Sequence, residues 1–129
     1  MRRVVVAGIV GLALVLIGIA GPLIMDALGY QYINENRLYL KGQYEIQSLP
    51  KNTHVVGHAE GKNFSLYVLD KENLERFKSG LDFEAVYSWR HVANVSFDFR
   101  TYDERLYLVI KNELNETQLI KLKLRAGRG

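Results

Sequence analysis

Ile120-Lys121-Leu122-Lys123-Leu124-Arg125 alternates three aliphatic side chains with three cations. Successive side chains of an extended strand point to opposite faces, so this stretch has one apolar and one charged face. On a helix the same residues would be scattered around the circumference. The stretch is read as a strand, with Ile120, Leu122 and Leu124 in a core and Lys121, Lys123 and Arg125 in solvent. The same period of two recurs upstream. Residues 37–41 and 43–47 are short candidates, and Leu49-Pro50-Lys51-Asn52 reads as a turn. Residues 53–60 and 64–69 follow. Phe83, Ala85, Tyr87 and Trp89 line one face of a further strand, and Val95, Phe97 and Phe99 one face of the next. Residues 106–110 are almost wholly apolar, the pattern of a central strand covered on both sides.

One segment, residues 70–80, breaks the period. Asp70 is placed to cap a short helix, because its carboxylate can accept from the open amides of the first turn. Leu74 and Phe77 share a face, with Leu81 following, and Glu72 and Arg76 have the spacing of a favourable ion pair. Gly80 suits a left-handed ending. Such a helix would cap an open end or edge. Seven or eight short strands and one helix give the expected class: all-β, an antiparallel β-sandwich with one short helix. It is expected to occupy residues 30–125, with 126–129 as a flexible tail.

The stretch Phe64-Ser-Leu-Tyr-Val-Leu-Asp-Lys-Glu-Asn-Leu-Glu-Arg-Phe-Lys-Ser-Gly80, then Val95-Ser-Phe-Asp-Phe99, then Leu106-Tyr-Leu-Val-Ile-Lys-Asn112, resembles small β-sandwich domains of the emp24/GOLD type. The likeness is to those in membrane-anchored or secreted archaeal and bacterial proteins. It covers about half the chain and departs at the last hairpin, where Thr101-Tyr102-Asp103-Glu104-Arg105 replaces the usual turn. The resemblance implies a non-enzymatic module for protein, glycan or lipid interaction. It carries no catalytic residue.

Upstream, Arg2 and Arg3 precede residues 4–25, a run of 22 without a charge that Asp26 ends. A bilayer core of about 30 Å needs about 20 helical residues, whereas a cleaved signal has a shorter apolar stretch. Residues 1–29 are therefore expected to be a single transmembrane anchor and its juxtamembrane turn. Gly18-Ile19-Ala20 offers a signal-peptidase site as the alternative. The two arginines place the N-terminus in the cytoplasm and the following domain outside the cell membrane. Ala7, Gly11, Gly18 and Gly21 fall on one seven-residue repeat of the span. Small side chains let helices approach closely in lipid, so this stripe is a candidate interface with a partner helix or with a second copy.

Composition excludes several chemistries. Cysteine is absent, and with it disulfides and thiolate-held zinc or iron–sulfur centres. From Tyr30 onward 15 Lys+Arg face 13 Asp+Glu, a balance that gives no basis for nucleic-acid binding. His54 and His58 lie four residues apart in a strand, about 13 Å, too far for one metal ion. His91 would join them only through folding. Asp98, Asp103 and Glu104 match no calcium loop, and no serine stands in a nucleophile elbow. No catalytic residue, metal site or cofactor is expected. Asn63, Asn94 and Asn115 begin Asn-x-Ser/Thr sequons and are glycosylation candidates in an external domain. Lys121, Lys123 and Arg125 fit anionic headgroups, acidic glycans or an acidic partner. The plainer reading is edge protection, lysines on an outer strand discouraging aggregation. Together these readings give a membrane-anchored extracytoplasmic binding or assembly module. The alternatives are an accessory subunit of a larger membrane or surface-appendage complex, and a secreted carbohydrate- or lipid-binding domain. Trp89, Tyr87 and Tyr102 are the aromatics to inspect for the last.

Overall fold

The structure, a computed structural model, describes residues 31–127. The expected anchor at 1–29 and its stripe of Ala7, Gly11, Gly18 and Gly21 lie outside the described residues. Six strands and one helix follow in the order β1 (Gln31–Tyr39), β2 (Tyr44–Ser48), β3 (His54–Leu69), α1 (Lys71–Lys78), β4 (Tyr87–Arg100), β5 (Tyr107–Asn112) and β6 (Gln118–Gly127). The antiparallel β class with one short helix is as expected. The strands are fewer and longer. Residues 53–60 and 64–69 merge into β3, and the two aromatic segments around Trp89 and Phe97 merge into β4. β6 runs past Arg125 to Gly127, with Ala126 buried, so the strand continues into the stretch expected as a tail.

All six strands belong to one sheet. β4 pairs with β3 along both of its halves. On the opposite edge of β3, β6 takes residues His54 to Glu60 and β5 takes Phe64 to Leu69. β1 then pairs with β6, and β2 with β5. Every long path is interrupted at the same level. β1 gives way to β2 through residues 40–43, β5 to β6 through 113–117, and β3 shifts register between Glu60 and Leu66. Opposite that shift, His91 of β4 takes a positive φ of 52°.

At this level the sheet curls back on itself. Tyr87 and Phe99 are twelve residues apart on β4, about 40 Å of straight strand, yet their ring centroids lie 5.0 Å apart. Trp89 likewise approaches Phe97 at 6.1 Å. The curl sets a layer of β1, β6, the first half of β3 and the second half of β4 over a layer of β2, β5 and the remaining halves. Between them lies one core that includes Val55, Phe64, Leu66, Leu108, Ile120 and Leu124, all essentially inaccessible to solvent. Gly57 fits here because a Cβ would sit 2.4 Å from Phe97 Cζ and 2.5 Å from the Lys123 carbonyl. The second contact is backbone and cannot yield. Gly57→Ala is expected to cost about 2–3 kcal/mol by overpacking, measured as a lowered urea midpoint.

The helix covers a face, not the end or edge that was expected. Asp70 accepts from the Asn73 amide at 2.8 Å, and Gly80, at φ 74°, closes the other end. There the Leu81 amide donates to Arg76 O at 2.9 Å and the Gly80 amide to Phe77 O at 3.1 Å, the paired bonds of a Schellman ending. This turn carries Leu81 away from the helix face, and it is exposed. Leu74 and Phe77, with Phe83 and Ala85, pack on Ile46, Tyr67, Leu69 and Val109. Edge-to-face contacts tie Phe77 to Tyr44 at 4.9 Å and Phe83 to Tyr67 at 5.1 Å. This second core explains why Phe64 to Leu69 and Leu108 to Ile110 are buried without alternation.

Candidate functional site

Among the described residues, the outer face of the β1–β6–β3–β4 layer has no such cover. Strand register lays its side chains out as a grid. One row is Tyr32, Arg125, Val56 and Asp98; the next is Asn34, Lys123, His58 and Ser96; the third is Asn36, Lys121, Glu60 and Asn94. Lys121, Lys123 and Arg125 are exposed on this face while Ile120, Leu122, Leu124 and Ala126 fill the core, as their alternation requires. β6 is flanked by β1 and β3. The edge-protection reading of the three cations is therefore corrected: edge protection acts on unpaired strands, and β6 is paired on both sides.

The two histidines share this face without meeting. His54 Nε2 lies 2.5 Å from Asp98 Oδ1. His58 Nδ1 lies 2.9 Å from Ser96 Oγ, and its Nε2 is 3.6 Å from Glu60. Serine, imidazole and carboxylate thus stand in a row. The row lies on an open sheet, with His58 and Glu60 on β3, which is paired on both sides, and Ser96 on β4, which is paired with β3 alone. Asp98 and Asp103 take separate partners, since Asp103 accepts from Asn52 Nδ2 at 3.1 Å. No group of three potential metal ligands occurs among the described residues.

A second place, which the sequence reading missed, is the seam between β1 and β2. Arg37 and Tyr39 from β1 and Glu45 and Gln47 from β2 rim a narrow cleft floored by Leu108, Ile110, Ile120 and Leu122. Tyr39 donates its hydroxyl to Glu45 Oε1 at 2.6 Å, and Arg37 bridges Glu45 and Glu35, the latter at 2.9 Å. The charges satisfy one another, so the seam is a clasp across the open side of the core. Burial, then the neighbouring Glu45 carboxylate, raise the Tyr39 phenol well above its ordinary value. A raised folded-state value means stability that is full below the unfolded tyrosine value of about 10 and lost as pH rises beyond it. Tyr39→Phe is expected to flatten this alkaline loss, measured as urea midpoints from neutral to strongly alkaline pH beside the parent chain.

The remaining candidates are dispersed. Tyr87 and Trp89 stack at 6.1 Å and lean on Phe99 and Phe97, while the exposed Tyr102 sits in a separate loop. The three therefore form no common platform. Asn115 is exposed in the 113–117 loop, Asn94 is exposed on a paired strand, and Asn63 buries Oδ1 in the β3 irregularity. Of the three sequons, Asn115 is the exposed one that lies in a loop. No helix among the described residues is long and apolar enough to cross a membrane.

Neither a protein-family model nor a curated protein matches the chain.

Proposed function

We propose that this chain is a membrane-anchored, extracytoplasmic binding and assembly module with no catalytic step of its own. Residues 4–25 hold it in the cell membrane with Arg2 and Arg3 inside. A compact β-sandwich, of emp24/GOLD-like character, stands outside. The observation that carries this reading is the unequal treatment of two outer faces of one sheet. One is sealed by α1 and a second apolar core. The other is bare of cover among the described residues and carries Lys121, Lys123 and Arg125 on an interior strand. A polar face with three aligned cations suits contact with an anionic surface or an acidic partner. The balanced charge of the chain gives no support to nucleic acid as that partner.

The test is the state of the mature chain. An N-terminus that retains residues 1–20, resistance to alkaline extraction from membranes, and digestion of the domain by protease added outside are the expected results. A soluble chain lacking those residues would overturn the anchored reading.

A further inference from the structure

We propose that the bare face of the β1–β6–β3–β4 layer docks flat on anionic lipid headgroups of the membrane that carries the chain. This rests on the anchored reading above. The tether comes first. β1 starts at Gln31, five residues after Asp26 closes the charge-free run. Five residues reach at most about 18 Å. Tyr32 and its cross-strand partner Arg125 are therefore held close to the membrane surface.

The cations themselves form a fixed row. Lys121, Lys123 and Arg125 stand on alternate residues of one strand, about 7 Å apart. Pairing on both edges of β6 keeps the row rigid. Among the described residues none of the three has a carboxylate within ion-pair distance. The face carries two acids: Asp98, bonded to His54 at 2.5 Å, and Glu60, the register partner of Lys121, so Lys123 and Arg125 are the cations with no acid opposite them in register. Asn34, Asn36 and Asn94 complete the grid without charge.

The two sides of the domain differ in charge balance. On the opposite side, the exposed Glu72, Glu75, Asp82 and Glu84 are matched by Lys71, Arg76, Lys78 and Arg90, the last lying over the Tyr67 ring. A body with its excess positive charge on one face is turned by a negative surface potential until that face meets it. Tyr32, 55 % exposed on the basic face, is an aromatic suited to the headgroup level.

The experiment places the full chain in nanodiscs of phosphatidylcholine alone, or of phosphatidylcholine mixed with phosphatidylglycerol. Lysines are labelled with a water-soluble amine reagent and read by mass spectrometry. Labelling of Lys121 and Lys123 is expected to slow by about fivefold in the anionic discs and to recover in high salt. Lys71 and Lys78, on the helix side, should label alike in both. Arg125→Glu, which leaves both reporter lysines in place, should remove much of the protection. Equal labelling of Lys121 and Lys123 in the two discs overturns the proposal and leaves the face to an acidic protein. Equal slowing of all four lysines also overturns it. Failure of the chain to elute with discs of either kind overturns the anchored reading, and this proposal with it, before any labelling is read.

Discussion

Asn112→Leu is expected to destabilise the domain by about 4 kcal/mol, although it replaces a buried polar side chain with an apolar one of similar size. Asn112 is 1 % exposed. Its Nδ2 donates to the carbonyls of Tyr39 at 3.2 Å, Leu40 at 2.9 Å and Glu116 at 2.9 Å. Its Oδ1 accepts from the Leu114 amide at 2.8 Å and from Gln118 Nε2 at 2.5 Å. Gln118 extends the network, with Nε2 donating to the Asn63 carbonyl at 2.5 Å and Oε1 accepting from the Lys62 amide at 2.8 Å. Two amide side chains thus serve the open backbone groups of all three nearby chain breaks, at 40–43, 61–63 and 113–117. Leucine would strand several of these groups. Each that stays buried costs about 1–3 kcal/mol, and those near the surface recover water. In an urea melt of the full chain in detergent, Asn112→Leu and Gln118→Leu should also be non-additive by about 1 kcal/mol or more. Additive losses would show that the two amides act separately.

Phe64→Ala should lose about 3–5 kcal/mol. Phe64 is fully buried in the main core at the point where the sheet curls. It is register partner to both Val92 of β4 and Asn112 of β5. Neighbours fixed by two strand pairings cannot collapse into the space left behind, which puts the loss at the upper end for a buried phenylalanine. A domain of this size has about 5–15 kcal/mol in total, so the variant should melt far below the parent. Phe64→Leu, with less volume removed, serves as the graded control and should lose a fraction of that.

The parts of this fold that were legible in the sequence are those written in local periodicity. Alternation from Ile120 to Arg125 gave the strand and both of its faces. Asp70, Leu74, Phe77 and Gly80 gave the helix and both of its ends. The uninterrupted apolar stretch around Leu108 indicated a doubly covered strand, and α1 supplies the second cover. What was not legible depends on long-range pairing. Nothing local distinguishes two short strands from one long strand with an irregularity, so periodicity alone divides β3 and β4 into two strands each. The rank of β6 in the sheet was also hidden, and with it the meaning of Lys121, Lys123 and Arg125. One signal was present and unused. Asn112 and Gln118 occupy the inward positions that continue Leu108, Ile110 and Ile120, Leu122. A polar amide in an apolar register marks backbone groups that need a partner. The Tyr39–Glu45–Arg37 clasp joins residues six to eight apart on different strands, and no spacing rule would have paired them.

On the proposed function, the working surface of this sheet is its β1–β6–β3–β4 outer face and not its helix-covered face. Trp89 is the sole tryptophan of the chain. It provides a built-in donor for energy transfer to dansyl-labelled headgroups in discs containing the full chain. Transfer is expected to be stronger in anionic than in neutral discs, a difference retained by Lys71→Glu/Lys78→Glu and abolished by Lys121→Glu/Lys123→Glu/Arg125→Glu at unchanged thermal stability. Transfer that ignores lipid charge, or that falls equally in both variants, would contradict that assignment of the working surface.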